Sequence, residues 1–280
     1  MKDKIRFIHL SDTHLGANPY QIKDRFDDMG NAFREVVSYV MQNKNKIDFV
    51  LIGGDLFDKK SINANVLDQC TEILKPLNDI KMPIYVTQGN HDMATYSNNF
   101  SWLDYLNKKN VITLLNPVKD EKGDVTLKEY DKYGSYYIDE DLGVIIYGLG
   151  YSGIVPGKYV EKLSNEYLAN DNNKIIITLL HAGIEHFMTE GMGGLKKEEI
   201  KCLSDKSDYI ALGHIHTEYF DEEYKFYNPG SLENTTISKD DKEKGFFDVT
   251  ISRDDKKVDK KFIKVTNRKF LNITNYKINK

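Results

Sequence analysis

The chain has 280 residues, of which 40% are apolar and 29% charged, with a formal net charge of −4. That length can bury a full core, the composition excludes a disordered chain, and no apolar run approaches the roughly 20 residues that cross a membrane. Cys70 and Cys202 are too few and too distant in sequence for a disulfide framework or a zinc knuckle, so a cytoplasmic protein with reduced thiols is expected. The acidic balance argues against sequence-independent nucleic-acid binding, unless divalent cations supply the positive charge where a phosphate sits.

Met1-Lys2-Asp3-Lys4-Ile5 leads straight into an expected first strand, so no signal peptide is expected. Short apolar runs predict buried strands at 5–10, 49–52, 84–87, 144–147, 175–180 and 209–212. Between the first two, Phe26, Met29, Phe33, Val36, Val37 and Val40 recur at helical spacing and predict a helix over 24–46. A second helix is expected over 65–78, closed off before Pro83. The alternation indicates an α/β fold with at least one mostly parallel sheet. After Gly245 the pattern changes, and 246–251 and 258–265 alternate like antiparallel strands joined by a turn at 253–257. The charged stretches 120–123 and 240–245 are expected to be solvated loops.

Metal-binding residue types recur where these strands end. Asp12 and His14 follow the first strand, Asp55 the second, and Asn90, His91 and Asp92 the third. His181 follows the 175–180 strand, and His214 and His216 follow the 209–212 strand. Ligands of open α/β sheets bind beyond the carboxyl ends of the strands, so five strands deliver carboxylate, imidazole and amide oxygen to one place. Residues two apart in an extended segment share a side, which suits Asp12 with His14 and His214 with His216. The set contains no thiolate and suits Mn²⁺ or a similar first-row ion better than a structural zinc. His9 is out of phase with these ligands and is expected to be a buried, hydrogen-bonded histidine. His186 is expected at the surface.

The order Asp-x-His, Gly-Asp, Gly-Asn-His-Asp, His, Gly-His-x-His resembles the calcineurin-like metallophosphoesterases. The resemblance implies a two-sheet sandwich flanked by helices. It also implies one metal held by Asp12, His14, Asp55 and His216, and another by Asp55, Asn90, His181 and His214, with Asp55 bridging. His91 would act on the reacting phosphate without binding metal. A hydroxide held between the two metals would attack in line.

The segments 9–16, 54–58 and 227–233 are similar to the Mre11/SbcD nucleases, which implies a DNA-repair exonuclease or single-strand endonuclease. Asp58 stands where many family members carry a histidine, and is expected to orient His91 through its carboxylate. The tail, with 245–247 and 267–270, resembles the beginning of that family's DNA-capping domain, so residues 1–240 are expected as the nuclease domain and 241–280 as a partial cap. Family members are generally longer than this chain. The implied partners are DNA, a Rad50/SbcC-type ATPase and a second copy, the last through helices beside the site. The helix over 24–46 could serve that pairing or face the core. A phosphodiesterase or phosphatase acting on a small molecule such as a cyclic nucleotide shares every ligand, and only the branch motifs and the tail oppose it. A non-catalytic scaffold on this fold would be expected to lack ligands, and none is missing.

Overall fold

A computed structural model describes residues 2–95, 99–168, 173–188, 193–236 and 242–269. The first half of the chain supplies β1 (Lys4–Leu10), α1 (Asp24–Gln42), β2 (Phe49–Ile52), α2 (Ala64–Asp79), β3 (Ile84–Val86), α3 (Trp102–Lys108) and β4 (Thr113–Leu114). A small hairpin of β5 (Val118–Lys119) and β6 (Val125–Thr126) follows, then β7 (Tyr136–Asp139), β8 (Val144–Gly148), α4 (Gly157–Ser164) and β9 (Ile175–His181). The remainder is α5 (Lys197–Ser204), β10 (Tyr209–Gly213), β11 (Tyr219–Asp221), β12 (Phe226–Asn228), β13 (Gly245–Ser252) and β14 (Val258–Lys264).

The strands form two six-stranded sheets, ordered β14-β13-β1-β2-β3-β4 and β11-β12-β10-β9-β8-β7. In the first, β1 to β4 run parallel, β13 is added antiparallel to β1 and β14 antiparallel to β13. In the second, β12, β10, β9 and β8 run parallel and the edge strands β11 and β7 antiparallel. Alternation along the strands decides which layer each side chain enters. Ile5, Phe7, Phe49 and Leu51 point between the sheets, where they meet Ile146, Ile177, Leu179, Tyr209 and Ala211. Ile8, Leu10, Val50 and Ile52 point outward onto Phe33, Val36, Cys70, Leu74 and Leu103 of α1, α2 and α3. Leu180, Ile210 and Leu212 do the same on the other sheet against Val160, Leu163, Ile200 and Leu203 of α4 and α5. The result is helix–sheet–sheet–helix layering, the sandwich that the resemblance implies.

The apolar stripe of α1 is committed to this core, since Ala32, Phe33, Val36, Val37 and Val40 are all buried. It is not a face for pairing with a second copy. Two helices carry local start signals. Asn63 accepts from Val66 N at 3.1 Å at the head of α2, and Ser101 with Asp104 forms a capping box at α3. Among the described residues, no helix is long and apolar enough to cross a membrane. Cys70 is a free, buried thiol and Cys202 a free, half-buried one.

The tail is placed differently from the expectation of a partial cap after residue 240. Strand β13 pairs with β1 over Lys4–His9, and β14 pairs with β13, so residues 245–264 are two strands of the first sheet. Phe247, Val249 and Ile251 enter the core between the sheets, which is why the hairpin belongs to the sandwich. Arg268 then turns back onto α1 and donates to Asp28 at 2.6 and 3.0 Å. Phe270 and the rest of the expected cap lie outside the described residues.

Candidate metal centre

The carboxyl ends of β1, β2, β3, β9 and β10 converge, and the loops beyond them bring the predicted ligands together. Asp12, His14, Asp55 and His181 are buried, while Asn90, His91, His214 and His216 are half-buried. The loop backbones are unusual. Asp12, His14, Asp55 and His214 all have positive φ, at 53°, 45°, 49° and 93°. Non-glycine residues take this conformation rarely, and such strain concentrates at functional sites. Two glycines permit the convergence. Gly54 has φ +96° and lies against the His181 ring, and a Cβ on Gly89 would enter the Asp55 carboxylate.

The donor atoms gather around two positions. At one, His14 Nε2 lies 2.9 Å from His216 Nε2, and His216 Nε2 lies 3.9 Å from Asp12 Oδ1. At the other, Asn90 Oδ1 lies 3.1 Å from His181 Nε2 and 3.1 Å from His214 Nδ1. Asp55 joins them, with Oδ2 3.3 Å from His181 Nε2 and 3.8 Å from His14 Nε2. Three triads of potential ligand atoms lie within 4.8 Å of one another: Asp12–His14–His216, His14–Asp55–His91 and Asp12–Asp55–His181. His91 is thus close enough to count among the possible ligands.

These residues fit divalent ions. Ligands about 2.1 Å from an ion in perpendicular directions lie about 3 Å apart, as several of these donors do. The second layer aims them. His181 Nδ1 donates to Gly53 O at 2.7 Å, which turns Nε2 toward the centre, where a metal would displace its proton. His91 N donates to Asp55 Oδ1 at 2.9 Å, leaving Oδ2 for the shared position. His214 N donates to both Asp12 oxygens, at 3.1 and 3.0 Å.

The electrostatics point the same way. Burial pushes the His181 imidazole down, but the Asp55 and Asp12 carboxylates outweigh it and hold it up at about 9. Burial and the neighbouring His181 push His214 down to about 4, and burial and His14 push His216 down to about 3. The carboxylates that hold a proton on His181 would equally hold a cation in its place, and His214 and His216 are kept neutral, the form in which an imidazole binds metal.

Two expectations about neighbouring residues change. Asp58 does not orient His91 through its carboxylate. His91 Nδ1 donates to the Asp58 backbone oxygen at 2.5 Å. The carboxylate faces His14 instead, with Oδ1 3.4 Å from Nδ1 and the ring N–H not aligned on it. The stretch 240–245 is not simply a solvated loop. Residues 240 and 241 lie outside the described residues, but Lys244 is only 6% exposed and donates from Nζ to His216 O at 2.6 Å. Burial pushes its ammonium down to about 8.

Other residues that sequence reasoning left without a role hold the ligand loops. Asp92 accepts from Leu56 N, Phe57 N and Gly89 N, tying the loop after β2 to the loop after β3. Asn228 donates from Nδ2 to Ile215 O and Thr217 O, at 2.7 and 2.8 Å, bracketing His216. Glu233 accepts from buried Arg25 at 3.3 Å and from Arg268 N at 3.0 Å. The 227–233 segment is thus scaffolding for the loop that carries His216. The two remaining histidines sit as expected. His9 is buried, with Nε2 donating to Leu212 O at 3.1 Å and Nδ1 2.9 Å from the Tyr209 hydroxyl, and His186 is exposed.

The calcineurin-like phosphoesterase family model matches residues 5–218, which span all of these ligands. The chain is 28% identical over 215 residues to the DNA double-strand break repair protein Mre11 of Saccharolobus solfataricus, covering 77% of this chain and 50% of that one. It is 27% identical over 262 residues to Mre11 of Methanococcus maripaludis, covering 89% and 64%. It is 25% identical over 268 residues to Mre11 of Archaeoglobus fulgidus, covering 94% and 57%. The chain thus spans about half to just under two thirds of the length of these relatives. A match over most of the chain and a full complement of the family's ligand types place it: the chain belongs to the calcineurin-like phosphoesterase family, and within that family its likeness runs to the archaeal Mre11 proteins.

Proposed function

We propose that this chain is a metal-dependent nuclease that hydrolyses phosphodiester bonds of DNA during repair. The observation that carries the reading is Asp55, whose Oδ2 lies between a His14/His216 group and a His181/Asn90/His214 group. Asp12, His14, Asp55 and His216 would hold one divalent ion, and Asp55, Asn90, His181 and His214 the other. Manganese is the proposed metal because the donors are oxygen and imidazole without thiolate. Bound there, the ions would neutralise the charge that develops on the phosphate, the larger part of the rate acceleration.

The side chains supply the rest. The Asp58 carbonyl fixes the His91 ring through Nδ1. Nε2 remains the atom that can donate to a phosphate oxygen or protonate the departing oxygen. Gly53 and the His91 backbone set the directions of His181 and Asp55, so the reacting phosphate meets donors already in place. The likeness to Mre11 supports DNA as the substrate, a Rad50/SbcC-type ATPase as partner and pairing with a second copy.

The test is an assay with Mn²⁺ on bis(p-nitrophenyl) phosphate beside single- and double-stranded DNA of matched phosphate content. Cleavage of the reporter and of DNA is expected. Turnover of a cyclic nucleotide or small phosphomonoester with DNA left intact would overturn the assignment.

A further inference from the structure

A recess of about 190 Å³ opens beside His216, lined by Thr217, Thr235, Thr236, Lys242 and Lys244. It carries two cations and three hydroxyls, and among the described residues no carboxylate lines it. His216 is its wall on the side of the metal centre, with Nδ1 3.2 Å from Thr235 Oγ1.

Lys244 is the unusual feature. An ammonium has three N–H donors, and this one gives hydrogen bonds to two neutral oxygens, His216 O at 2.6 Å and Ser231 Oγ at 3.0 Å. Asp12 and Glu233 are the carboxylates whose field reaches it, and neither accepts a hydrogen bond from it. A buried charge without a hydrogen-bonded counterion is costly unless something else completes it. Lys242, at the rim, makes no ion pair among the described residues. Both lysines therefore have positive charge to offer an anion that enters the recess.

We propose that this recess holds a phosphate of the substrate strand adjacent to the one being cleaved, with Lys244 and Lys242 as its cations and the Thr235 and Thr236 hydroxyls as its donors. The inference rests on the DNA reading and adds to it a specific demand. Substrates with a single phosphodiester leave the recess unused, whereas a strand engages it and is held in register for cleavage. Binding energy of this kind, made away from the reacting atoms, positions the scissile phosphate.

The experiment uses the full chain with Mn²⁺ and compares kcat/KM on bis(p-nitrophenyl) phosphate with that on a thymidine oligonucleotide. For Lys242→Ala, the ratio of oligonucleotide to reporter is expected to fall about three- to fivefold, the size of one exposed charge contact. Oligonucleotide binding followed by fluorescence anisotropy with Ca²⁺ should lose about 0.7 from its log–log salt slope, one phosphate contact. A single methylphosphonate next to the cleaved position should weaken cleavage by wild type and cost Lys242→Ala less, since only Lys244 and the hydroxyls then remain to sense the charge. Lys244→Met is the stronger variant but also releases the His216 backbone, so Lys242→Ala decides. Inorganic phosphate separates a strand phosphate from a free one, since a site for free phosphate would show competition on the reporter that Lys242→Ala removes. Equal losses on reporter and oligonucleotide, or equal methylphosphonate costs in both proteins, would overturn the subsite. A wild type that cleaves the reporter and leaves every oligonucleotide intact would overturn the DNA reading, and the subsite with it.

Discussion

His91 and Asp55 sit side by side in the centre, and their proposed roles separate cleanly. Asp55 is shared by both donor groups through Oδ2, so Asp55→Ala should lose both metal occupancy and activity. His91→Ala should keep both ions, measured by elemental analysis, and lose roughly 10²–10⁴-fold in rate, as general acid–base groups do. Loss of an ion from His91→Ala would make His91 a ligand, an arrangement its proximity to His14 and Asp55 permits. Asp58→Asn leaves the carbonyl that holds His91 in place and alters only the side chain facing His14. Its effect should be milder than that of His91→Ala and should fall on metal affinity. A rate loss as deep as that of His91→Ala, with metals retained, would show that the carboxylate serves the imidazole after all. The residue types of this centre were legible because metal chemistry restricts them to carboxylate, imidazole and amide at strand ends. The positive φ of Asp12, His14, Asp55 and His214 was not legible, since nothing in those side chains announces it. Nor was the use of a backbone carbonyl by His91. Lys244 was hidden by its neighbours, because Lys242-Glu243-Lys244 reads as a solvated charge run until β13 carries its last residue under His216.

At the scale of elements, the close approach of the loops after β2 and β3 is the feature most easily broken. A methyl group on Gly89 would overlap the Asp55 backbone nitrogen and carboxylate, and the loop cannot retreat without dragging the Asp92 bonds to Leu56 and Phe57. Gly89→Ala should therefore lower metal occupancy and cost about 1–3 kcal/mol of stability, as overpacking does. Thermal melts and elemental analysis are the measurements, and an alanine variant with full occupancy and wild-type melting would contradict the packing argument. A second junction stitches the tail hairpin to the first sheet and α1. Arg6 of β1 donates to both oxygens of Asp248 on β13, at 2.8 and 2.5 Å, and the Tyr39 hydroxyl of α1 donates to one of them at 2.6 Å. Burial pushes the Asp248 carboxyl up, but these two donors outweigh it and hold it below the usual carboxylate range. A carboxyl lowered by folding contributes stability above its unfolded value, about 3.9. That contribution is lost as pH falls through the lower folded value. Asp248→Asn should then be destabilised by about 1–3 kcal/mol at neutral pH, with the difference from wild type shrinking below about pH 4. A constant difference across the acid limb of a urea-denaturation series would remove Asp248 from that role. The longer strands and the first two helices were legible from apolar periodicity. Strands β4, β5, β6, β11 and β12 are two or three residues long, too short for any period to register. The hairpin of β13 and β14 was legible as a hairpin, but its place beside β1 depends on pairing between residues 238 to 248 positions apart, from His9 with Phe247 to Lys4 with Ser252.

For the whole molecule, the question is how a chain of net charge −4 would handle the proposed polyanionic substrate. Phosphate affinity usually comes from a basic surface and is lost with salt. Here the proposed positive charge is concentrated in two ions and the Lys242/Lys244 recess, so a substrate must bring its phosphate down to ligands whose side chains are nearly covered. Asp12, Asp55 and His14 are each exposed by 2% or less. A single strand can bend a phosphate into such a position at little cost, whereas an internal duplex phosphate would have to bring its paired partner with it or break pairs to reach the ions. Efficient duplex cutting would call for binding surface beyond that of the described residues, which is what the proposed ATPase partner would add. The expected order of cleavage by this chain alone is single-stranded circles and duplex ends first, and relaxed closed duplex circles last. Removal of divalent ions with a chelator should weaken single-strand binding as well as stop cleavage, because the ions are the main cationic surface. The measurement is a side-by-side digestion of the three substrates at equal phosphate concentration, with binding followed in chelator and in Ca²⁺. Rapid unaided cutting of relaxed duplex circles, or tight strand binding in chelator, would show that the surface itself grips DNA and that concentrating the charge at the centre does not set the substrate.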